Sequence, residues 1–367
     1  MEKVIGKFAF IGHPISLSHF YNLAGFWGVA LKQFPPYWVK RWMLGLPPQL
    51  YNIMEFESIL GTRAQGIGIT LPLLPEQFVS LGEEKAIKRI LKAVKLSEKL
   101  GAKLVALGGF TSVVGNEGEL ISKYVNIPVI SGNVFPAYLS IRGIEKACDK
   151  MHIKMSDSTA AVIGATGDIG SICAKILSKK VHKLYLVARN EARIQQFAEK
   201  IRSAATVEVE VSFDIDEVVA NSDIVLTATT SIAAIINPLK LKVGSIVCDV
   251  AVPANIAKDV VRLRNDVLVF EGGLTKIPNI QKMKDRKFHK AMLSNNCVFG
   301  CLAEAVLLTL ENRFESFSIG RGNITEEKVN EIGGIARKHG FEVSDFFCGY
   351  KLFSDEEIDC IRKNAHR

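Results

Sequence analysis

Short apolar runs, each closed by glycine or a small polar residue, alternate along this chain with longer segments of helical period. The first run is Gly6-Lys7-Phe8-Ala9-Phe10-Ile11-Gly12, which reads as a strand ending at Gly12-His13-Pro14 and a polar turn, Ser16-Leu17-Ser18-His19. From Gly82 to Leu100 the period changes. Ile87, Ile90, Leu91 and Val94 fall on one helical face, with Lys85, Lys88, Arg89, Lys92, Lys95 and Lys99 crowding the others. A strand at 103–107 then feeds Gly108-Gly109-Phe110-Thr111-Ser112, and Ile127-Pro128-Val129-Ile130 exits through Ser131-Gly132-Asn133. A helix over about 135–150 and a polar turn at 155–158 lead into further apolar runs at 160–163, 184–187, 223–230, 245–250 and 267–273. Strands alternating with helices from about 159 to 273 predict an α/β fold with a doubly wound parallel sheet of Rossmann type, whose ligand crevice lies at the strands' carboxyl ends.

The most informative stretch is Ala160-Ala161-Val162-Ile163-Gly164-Ala165-Thr166-Gly167-Asp168-Ile169-Gly170, a buried strand running into a glycine-rich turn and a helix. Glycines at 164, 167 and 170 permit a tight turn, backbone approach to a pyrophosphate and close helix packing. The following helix offers free N–H groups and the positive end of its dipole to an anion. Thr166, Asp168 and Ile169 complete the expected cradle, and Thr227 at the exit of a neighbouring strand is a further candidate contact. The spacing is GxxGxxG rather than GxGxxG, so its context matters. The next strand ends at Ala188-Arg189-Asn190, where a dinucleotide fold places the residue that reads the adenosine ribose. An acid there favours the free hydroxyl of NAD. Arg189, with Asn190 beside it and Arg193 one turn on, favours the 2′-phosphate of NADP, so NADPH is the expected cofactor.

Composition narrows the class. At 367 residues, 48% hydrophobic and 23% charged, the chain is long enough for two or three domains with a substantial core. Seven scattered cysteines suggest neither a disulfide framework nor a paired metal site, so no metal is expected and a reducing cytoplasm is the natural setting. No uncharged run reaches the roughly 18 to 20 residues of a membrane span. The net charge of +8 suggests an acidic partner, but no recognition helix, zinc finger or aromatic RNA motif accompanies it, which argues against nucleic acid.

Several features outside the nucleotide turn are candidates for binding. His13, at a strand end, is either a structural residue or one that meets a substrate carbonyl or donates a proton, and the glycine and amide-bearing strand exits at Gly108, Gly109, Phe110 and Asn133 suggest a ligand edge on the first domain. All three tryptophans lie between 27 and 42, among Phe26, Phe34, Tyr37, Lys32, Lys40 and Arg41. That mixture suits an aromatic core patch, a segment resting peripherally on a bilayer, or the wall of a tunnel for a long apolar ligand. The basic helix at 82–100 is either a solvated face or a dock for an acidic carrier protein.

With Cys297-Val298-Phe299-Gly300-Cys301-Leu302-Ala303-Glu304-Ala305 and Phe317-Ser318-Ile319-Gly320-Arg321-Gly322-Asn323-Ile324-Thr325 added, the chain resembles the long-chain acyl-acyl carrier protein reductases of cyanobacteria. Other matching stretches are Phe10-Ile11-Gly12-His13, Pro47-Pro48-Gln49, Leu74-Pro75-Glu76, Ala106 to Ser112, Gly164 to Gly170, Ala188-Arg189-Asn190 and Lys338-His339-Gly340-Phe341. The resemblance implies reduction of a long-chain acyl thioester by NADPH to a fatty aldehyde through an acyl-cysteine. The donor would be acyl carrier protein or coenzyme A, and an aldehyde-consuming enzyme would be a downstream partner. It also implies that Cys301, which precedes the Leu302-Ala303-Glu304-Ala305 helix, is the nucleophile. A free thiol is mostly protonated at neutral pH, so Cys301 would need a helix N-terminus or a nearby cation, such as Lys284, Lys287, His289 or Lys290. Cys297, four residues earlier, would share its face on a continuous helix. The chain departs from the resemblance at Asp249-Val250-Ala251-Val252-Pro253, most of all over Phe20 to Leu44, and in its tail beyond Phe341.

The expected organisation is an N-terminal α/β substrate and acyl-binding domain at 1–155, an NADP-binding domain at 156–275 and a C-terminal helical region at 276–367 carrying Cys301. Two alternatives stand beside the reductase. One is a shikimate dehydrogenase-like or glutamyl-tRNA reductase-like oxidoreductase acting on a smaller substrate, the former using a Lys/Asp pair in place of a cysteine. The other is an NADPH-sensing binding protein without turnover.

Overall fold

The computed structural model describes residues 4–257, 259–279, 297–349 and 351–365. They form two compact units: residues 1–132, 277–321 and 335–341 make the first, and 133–276, 322–334 and 342–367 the second. This differs from the expected three-part division. The boundary moves from 155 to 132–133 because the helix that follows packs on the nucleotide sheet, and the chain after 276 is shared between the units instead of forming a third.

In unit 1, β1 (Val4–Gly12) leads to three short helices, α1 (Leu17–Leu23), α2 (Phe26–Leu31) and α3 (Pro36–Met43). A hairpin of β2 (Gln49–Glu57) and β3 (Arg63–Thr70) follows, then α4 (Pro75–Leu81), α5 (Glu83–Lys99), β4 (Leu104–Leu107), α6 (Phe110–Glu117), α7 (Glu119–Ser122) and β5 (Val129–Ile130). The sheet order is β2-β3-β1-β4-β5, parallel except where β2 pairs antiparallel with β3. Fully buried Ile11, Val105 and Leu107 meet Ile90, Ala93 and Val94 of α5 in a continuous core. The helix Gly300–Leu310 packs across β1, β3 and β4. Apart from Cys301 its residues are buried, as its nearly unbroken apolar sequence requires.

The amphipathic reading of α5 holds, with one difference. Arg89 is half-buried, and its guanidinium donates to the carbonyls of Leu44 and Leu46 beyond α3, so it fastens the helical segment instead of joining the solvated lysine face. The tryptophan segment is not a core patch. Only Phe20, Val39, Met43 and Leu74 form its buried anchor, while Phe26, Trp27, Tyr37, Trp38 and Trp42 are 83%, 73%, 67%, 62% and 50% exposed.

Unit 2 opens with α8 (Val134–Met151), which packs on α9 (Asp168–Leu177) and on the sheet. The strands are β6 (Thr159–Ile163), β7 (Lys183–Val187), β8 (Glu208–Ser212), β9 (Ile224–Thr227), β10 (Ile246–Asp249) and β11 (Leu268–Glu271), with α10 (Glu191–Ala204) after β7, α11 (Ile215–Ala220) after β8 and α12 (Val260–Leu263) after β10. They pair in parallel in the order β8-β7-β6-β9-β10-β11. Counted from β6 this is the 3-2-1-4-5-6 order of dinucleotide-binding sheets, and its switch point lies between β6 and β9. The inner strands β6, β9 and β10 are buried along almost their whole length, as four- and five-residue apolar runs demand in a sheet covered on both faces. Another short strand, β12 (Leu274–Lys276), pairs antiparallel with Glu342–Val343.

Candidate active site

In unit 2 the glycine turn closes at the carboxyl end of β6. Gly164 has φ +90°, and a Cβ there would lie 2.5 Å from the Ala228 carbonyl oxygen beyond β9. A Cβ on Gly170 would lie 2.2 Å from the Gly164 carbonyl oxygen, so α9 sits flush on the turn. No side chain caps α9 at Gly167, which leaves the amides of its first turn for an anion at the switch point. Thr166, Gly167 and Ile169 are half-exposed along this turn.

Two expected contacts are already engaged with protein. The Asp168 carboxylate accepts from Asn133 Nδ2 at 3.1 Å and from the Gly322 N–H at 3.0 Å, so Asn133 and Asp168 belong together on unit 2. Thr227 is fully buried, and its hydroxyl donates to Asn255 Oδ1 at 2.7 Å. The same oxygen accepts from the Thr229 hydroxyl and N–H. Asp249 in turn accepts from the N–H groups of Ala251, Asn255 and Ile256 at 3.0, 2.7 and 3.1 Å. Burial pushes its carboxyl up to about 7 despite these donors. The departure at 249–253 is therefore an acid-held loop, and the network of Asp249, Asn255, Thr227 and Thr229 fixes the ends of β9 and β10. Sequence reasoning identified Thr227 alone of the four.

At the end of β7, Arg189 and Arg193 are exposed, and among the described residues neither guanidinium is in an ion pair. Asn190 caps α10, its Oδ1 accepting from the Arg193 N–H at 2.9 Å. Two cations, in no ion pair among the described residues, thus stand together beyond the end of β7.

In unit 1, Cys301 is the second residue of the Gly300–Leu310 helix and is half-buried. Burial pushes its thiol up to about 12, the N–H groups of Leu302 and Cys301 pull it down, and the Glu304 carboxylate pushes it up. The helix N-terminus is present as expected, but burial outweighs it. Lys284, Lys287, His289 and Lys290 lie outside the described residues. Cys297 belongs to the strand Cys297–Phe299 and is fully buried, so the two thiols do not share a helical face. The chain is extended at Phe299, with φ −63° and ψ 138°, which breaks any helix between them.

What sequence reasoning missed is the support around Cys301. Gly132, at the exit of β5, has φ +72°, and a Cβ on it would lie 2.8 Å from Cys301 Cβ and 2.9 Å from its Cα and carbonyl oxygen. The Ser131 N–H donates to the Ser318 carbonyl at 2.6 Å, and the Gly132 N–H donates to Ser318 Oγ at 2.9 Å. The Ser318 hydroxyl donates a hydrogen bond to the fully buried Glu304 carboxylate, one turn beyond Cys301. These bonds clamp the turn after β5 onto the start of the helix. The available signal was the small, polar exit Ser131-Gly132-Asn133.

The other expected substrate residues are structural ties. His13 Nε2 accepts from the Phe110 N–H at 3.0 Å, which leaves Nδ1 to donate to the Pro14 carbonyl at 3.1 Å. Its ring stands edge-on to Phe78 and Phe110, and burial lowers it to about 4, so it is neutral and both its nitrogens are engaged. His13 therefore joins β1 to the start of α6, which is the structural one of its expected roles. Gly108 is buried, its N–H donating to the Ile11 carbonyl at 2.9 Å, and the Phe110 ring is buried against Phe78, leaving Gly109 exposed. Cys148, Cys173, Cys248, Cys301 and Cys360 are free thiols. Among the described residues no group of three His, Cys, Asp or Glu side chains could hold a metal ion, and no helix is long and apolar enough to cross a membrane.

Residues 145–271 match the model of the shikimate / quinate 5-dehydrogenase family, a span that lies within unit 2. This is an NAD(P)-binding oxidoreductase-type fold. The chain is 28% identical over 344 residues to the long-chain acyl-[acyl-carrier-protein] reductase of Synechococcus elongatus, covering 91% of this chain and 98% of that one. It is 30% identical over 298 residues to the aminotransferase PigE of a Serratia species, covering 80% of this chain but only 34% of that longer protein. A glutamyl-tRNA reductase from Trichodesmium erythraeum is 24% identical over 226 residues, covering 60% of this chain and 49% of the relative.

Proposed function

We propose that the chain reduces a long-chain acyl thioester to the fatty aldehyde with NADPH, by way of an acyl group held on Cys301. The observation that carries this reading is the setting of Cys301: a half-buried thiol on the first turn of a buried helix, braced by the Gly132 turn. Its likeness to a long-chain acyl-acyl carrier protein reductase over nearly that protein's full length supports the substrate class, with acyl carrier protein or coenzyme A as donor.

The residues of unit 2 fit NADP(H). The glycine turn leaves no room for a Cβ at 164 or 170, α9 is uncapped, and Arg189 and Arg193 are available to a 2′-phosphate. When bound, NADPH supplies a hydride. The Asp249-Asn255 network keeps the ends of β9 and β10 rigid around the crevice, and Asp168 holds Asn133 and Gly322 at its edge.

Cys301 is the attacking group. Its sulfur attacks the thioester carbonyl, the carrier's thiol leaves, and the proton lost by Cys301 ends on that departing sulfur. The amides at the helix start stabilise negative charge on Cys301 sulfur during attack, which matters because burial otherwise holds the thiol protonated. With a hydride supplied to the Cys301-bound acyl carbonyl, Cys301 would carry a hemithioacetal oxyanion. Its collapse expels the Cys301 thiolate and releases aldehyde, and the thiolate regains a proton. A reactive aldehyde of this kind calls for an aldehyde-consuming enzyme downstream.

The test is to incubate the purified chain with NADPH and a long-chain acyl-coenzyme A or acyl carrier protein thioester and to measure aldehyde. Cys301→Ser should abolish it, and Cys297→Ser should retain it. Oxidoreductase activity that survives in Cys301→Ser would instead favour a dehydrogenase reaction of shikimate type on a smaller substrate, and NADPH binding without product would favour a sensor.

A further inference from the structure

The helices α1 to α3 of unit 1 carry a surface that the reductase reading does not use. Their inward face is small, with Phe20, Val39 and Met43 packed on Leu74. Their outward face presents Phe26, Trp27, Val29, Phe34, Tyr37, Trp38 and Trp42, each at least half exposed. A run of exposed aromatic side chains this dense is far from the scattered apolar residues of an ordinary protein surface. Its electrostatics are equally one-sided. No aspartate or glutamate occurs between Glu2 and Glu55, and the helices carry Lys32, Lys40 and Arg41. Lys40 pairs with Glu76 at 2.9 Å, whereas Lys32 and Arg41 are exposed and in no ion pair among the described residues.

We propose that this surface seats on an anionic lipid bilayer, with the aromatic rings entering the headgroup region and Lys32 and Arg41 meeting lipid phosphates. Trp and Tyr combine an apolar body with a polar edge, which suits the boundary between acyl chains and headgroups. A helical segment without acids of its own, with Lys32 and Arg41 left exposed beyond the Lys40–Glu76 pair, complements anionic headgroups. A second copy of the chain would bring two such cationic faces together, so charge disfavours self-association through this face. The helices are of only six to eight residues, so the seating is superficial. The inference stands independently of the reaction proposed for Cys301.

The test is sedimentation of the full chain with vesicles of phosphatidylcholine alone or mixed with phosphatidylglycerol, read together with tryptophan emission. The wild type should sediment with the anionic vesicles, with a blue-shifted emission, and bind the neutral ones weakly. Trp27→Ser with Trp38→Ser should lower partitioning about a hundredfold, roughly tenfold per ring. Lys32→Gln with Arg41→Gln should lower it on the order of tenfold and remove most of its salt dependence. Phe213→Ser, at an exposed aromatic position of unit 2, should change nothing. Thermal unfolding checks that each variant is folded. No binding to anionic vesicles, or binding unchanged by loss of both tryptophans, would overturn the proposal. A concentration-dependent dimer removed by the tryptophan pair, without vesicle binding, would place a second copy on the surface instead.

Discussion

Replacing Gly132 by alanine perturbs the support of Cys301 without touching its sulfur. The backbone there has φ +72°, a conformation that costs a residue with a Cβ about 1–2 kcal/mol. The added carbon would also lie 2.8 Å from Cys301 Cβ and 2.9 Å from its Cα and carbonyl oxygen. Ordinary contact between such atoms is about 3.5–4.0 Å, so the turn and the helix must separate by roughly 1 Å. The opposing atoms are mostly helix backbone, which cannot swing aside, and overpacking of this kind costs about 1–3 kcal/mol. Together the terms give a destabilisation of roughly 2–5 kcal/mol, a large part of the stability of a typical domain. If the turn yields, the bonds from Ser131 and Gly132 to Ser318 lengthen, and Cys301 loses its brace. A misplacement of about 1 Å at a reacting group can slow chemistry about a hundredfold. Gly132→Ala is thus expected to unfold at lower temperature and to capture an acyl group on Cys301 some ten- to a hundredfold more slowly. NADPH affinity, which belongs to unit 2, should be unchanged. Thermal unfolding, timed intact-mass measurement of acylation and fluorescence titration of NADPH read the three quantities. Wild-type stability with wild-type acylation would refute the reasoning, and a parallel loss of NADPH binding would show that the effect is not local to Cys301.

Arg189→Ala removes a cation from the end of β7 and should weaken NADPH roughly five- to thirtyfold while leaving NADH within about twofold, as competitive titrations would show. Equal losses for both would remove the 2′-phosphate assignment. Ser318→Ala takes away the acceptor of the Gly132 N–H and one donor to buried Glu304, and should lower unit 1 stability by about 1–3 kcal/mol in denaturant unfolding. A change below a few tenths would deny the clamp. Burial raises the Cys301 thiol to about 12, so its thiolate fraction grows tenfold per pH unit below that value. Iodoacetamide labelling of Cys301, followed by mass spectrometry, should therefore accelerate about tenfold per unit from pH 7 to about 10. A plateau near neutrality would mean that a cation or the helix start overcomes burial.

The sheet of unit 2 was legible because its inner strands are buried along almost their whole length: apolar runs such as Ala160–Ile163 and Ile246–Cys248, with glycine or polar exits, signal position as well as type. Two of the edge strands, β8 and β2, were not. β8, Glu208-Val209-Glu210-Val211-Ser212, alternates charge with valine at a half-exposed edge, and β2 is largely exposed over its first residues, so neither has the apolar density of an inner strand. Arg89 fell on the polar side of α5 by periodicity, but its role depends on carbonyls left over at the end of α3, which no local pattern reports. The tryptophan segment offered apolar residues on every face, so period alone could not separate the buried Val39 and Met43 from the exposed Trp38 and Trp42. Cys301 emerged through resemblance. Its brace did not, because Gly132 and Ser318 reach it from distant parts of the chain through backbone contact and backbone hydrogen bonds, which leave little trace in residue type.

The central claim is that Cys301 carries the acyl group, and covalent capture in the absence of NADPH tests it most directly. After incubation with a long-chain acyl-coenzyme A or acyl carrier protein thioester, the intact chain should gain the mass of one acyl group, located by peptide mapping at Cys301, sensitive to hydroxylamine, discharged as aldehyde on addition of NADPH, and absent in Cys301→Ser. An unmodified chain with both donors, or an acyl group mapped to any other cysteine, would contradict it.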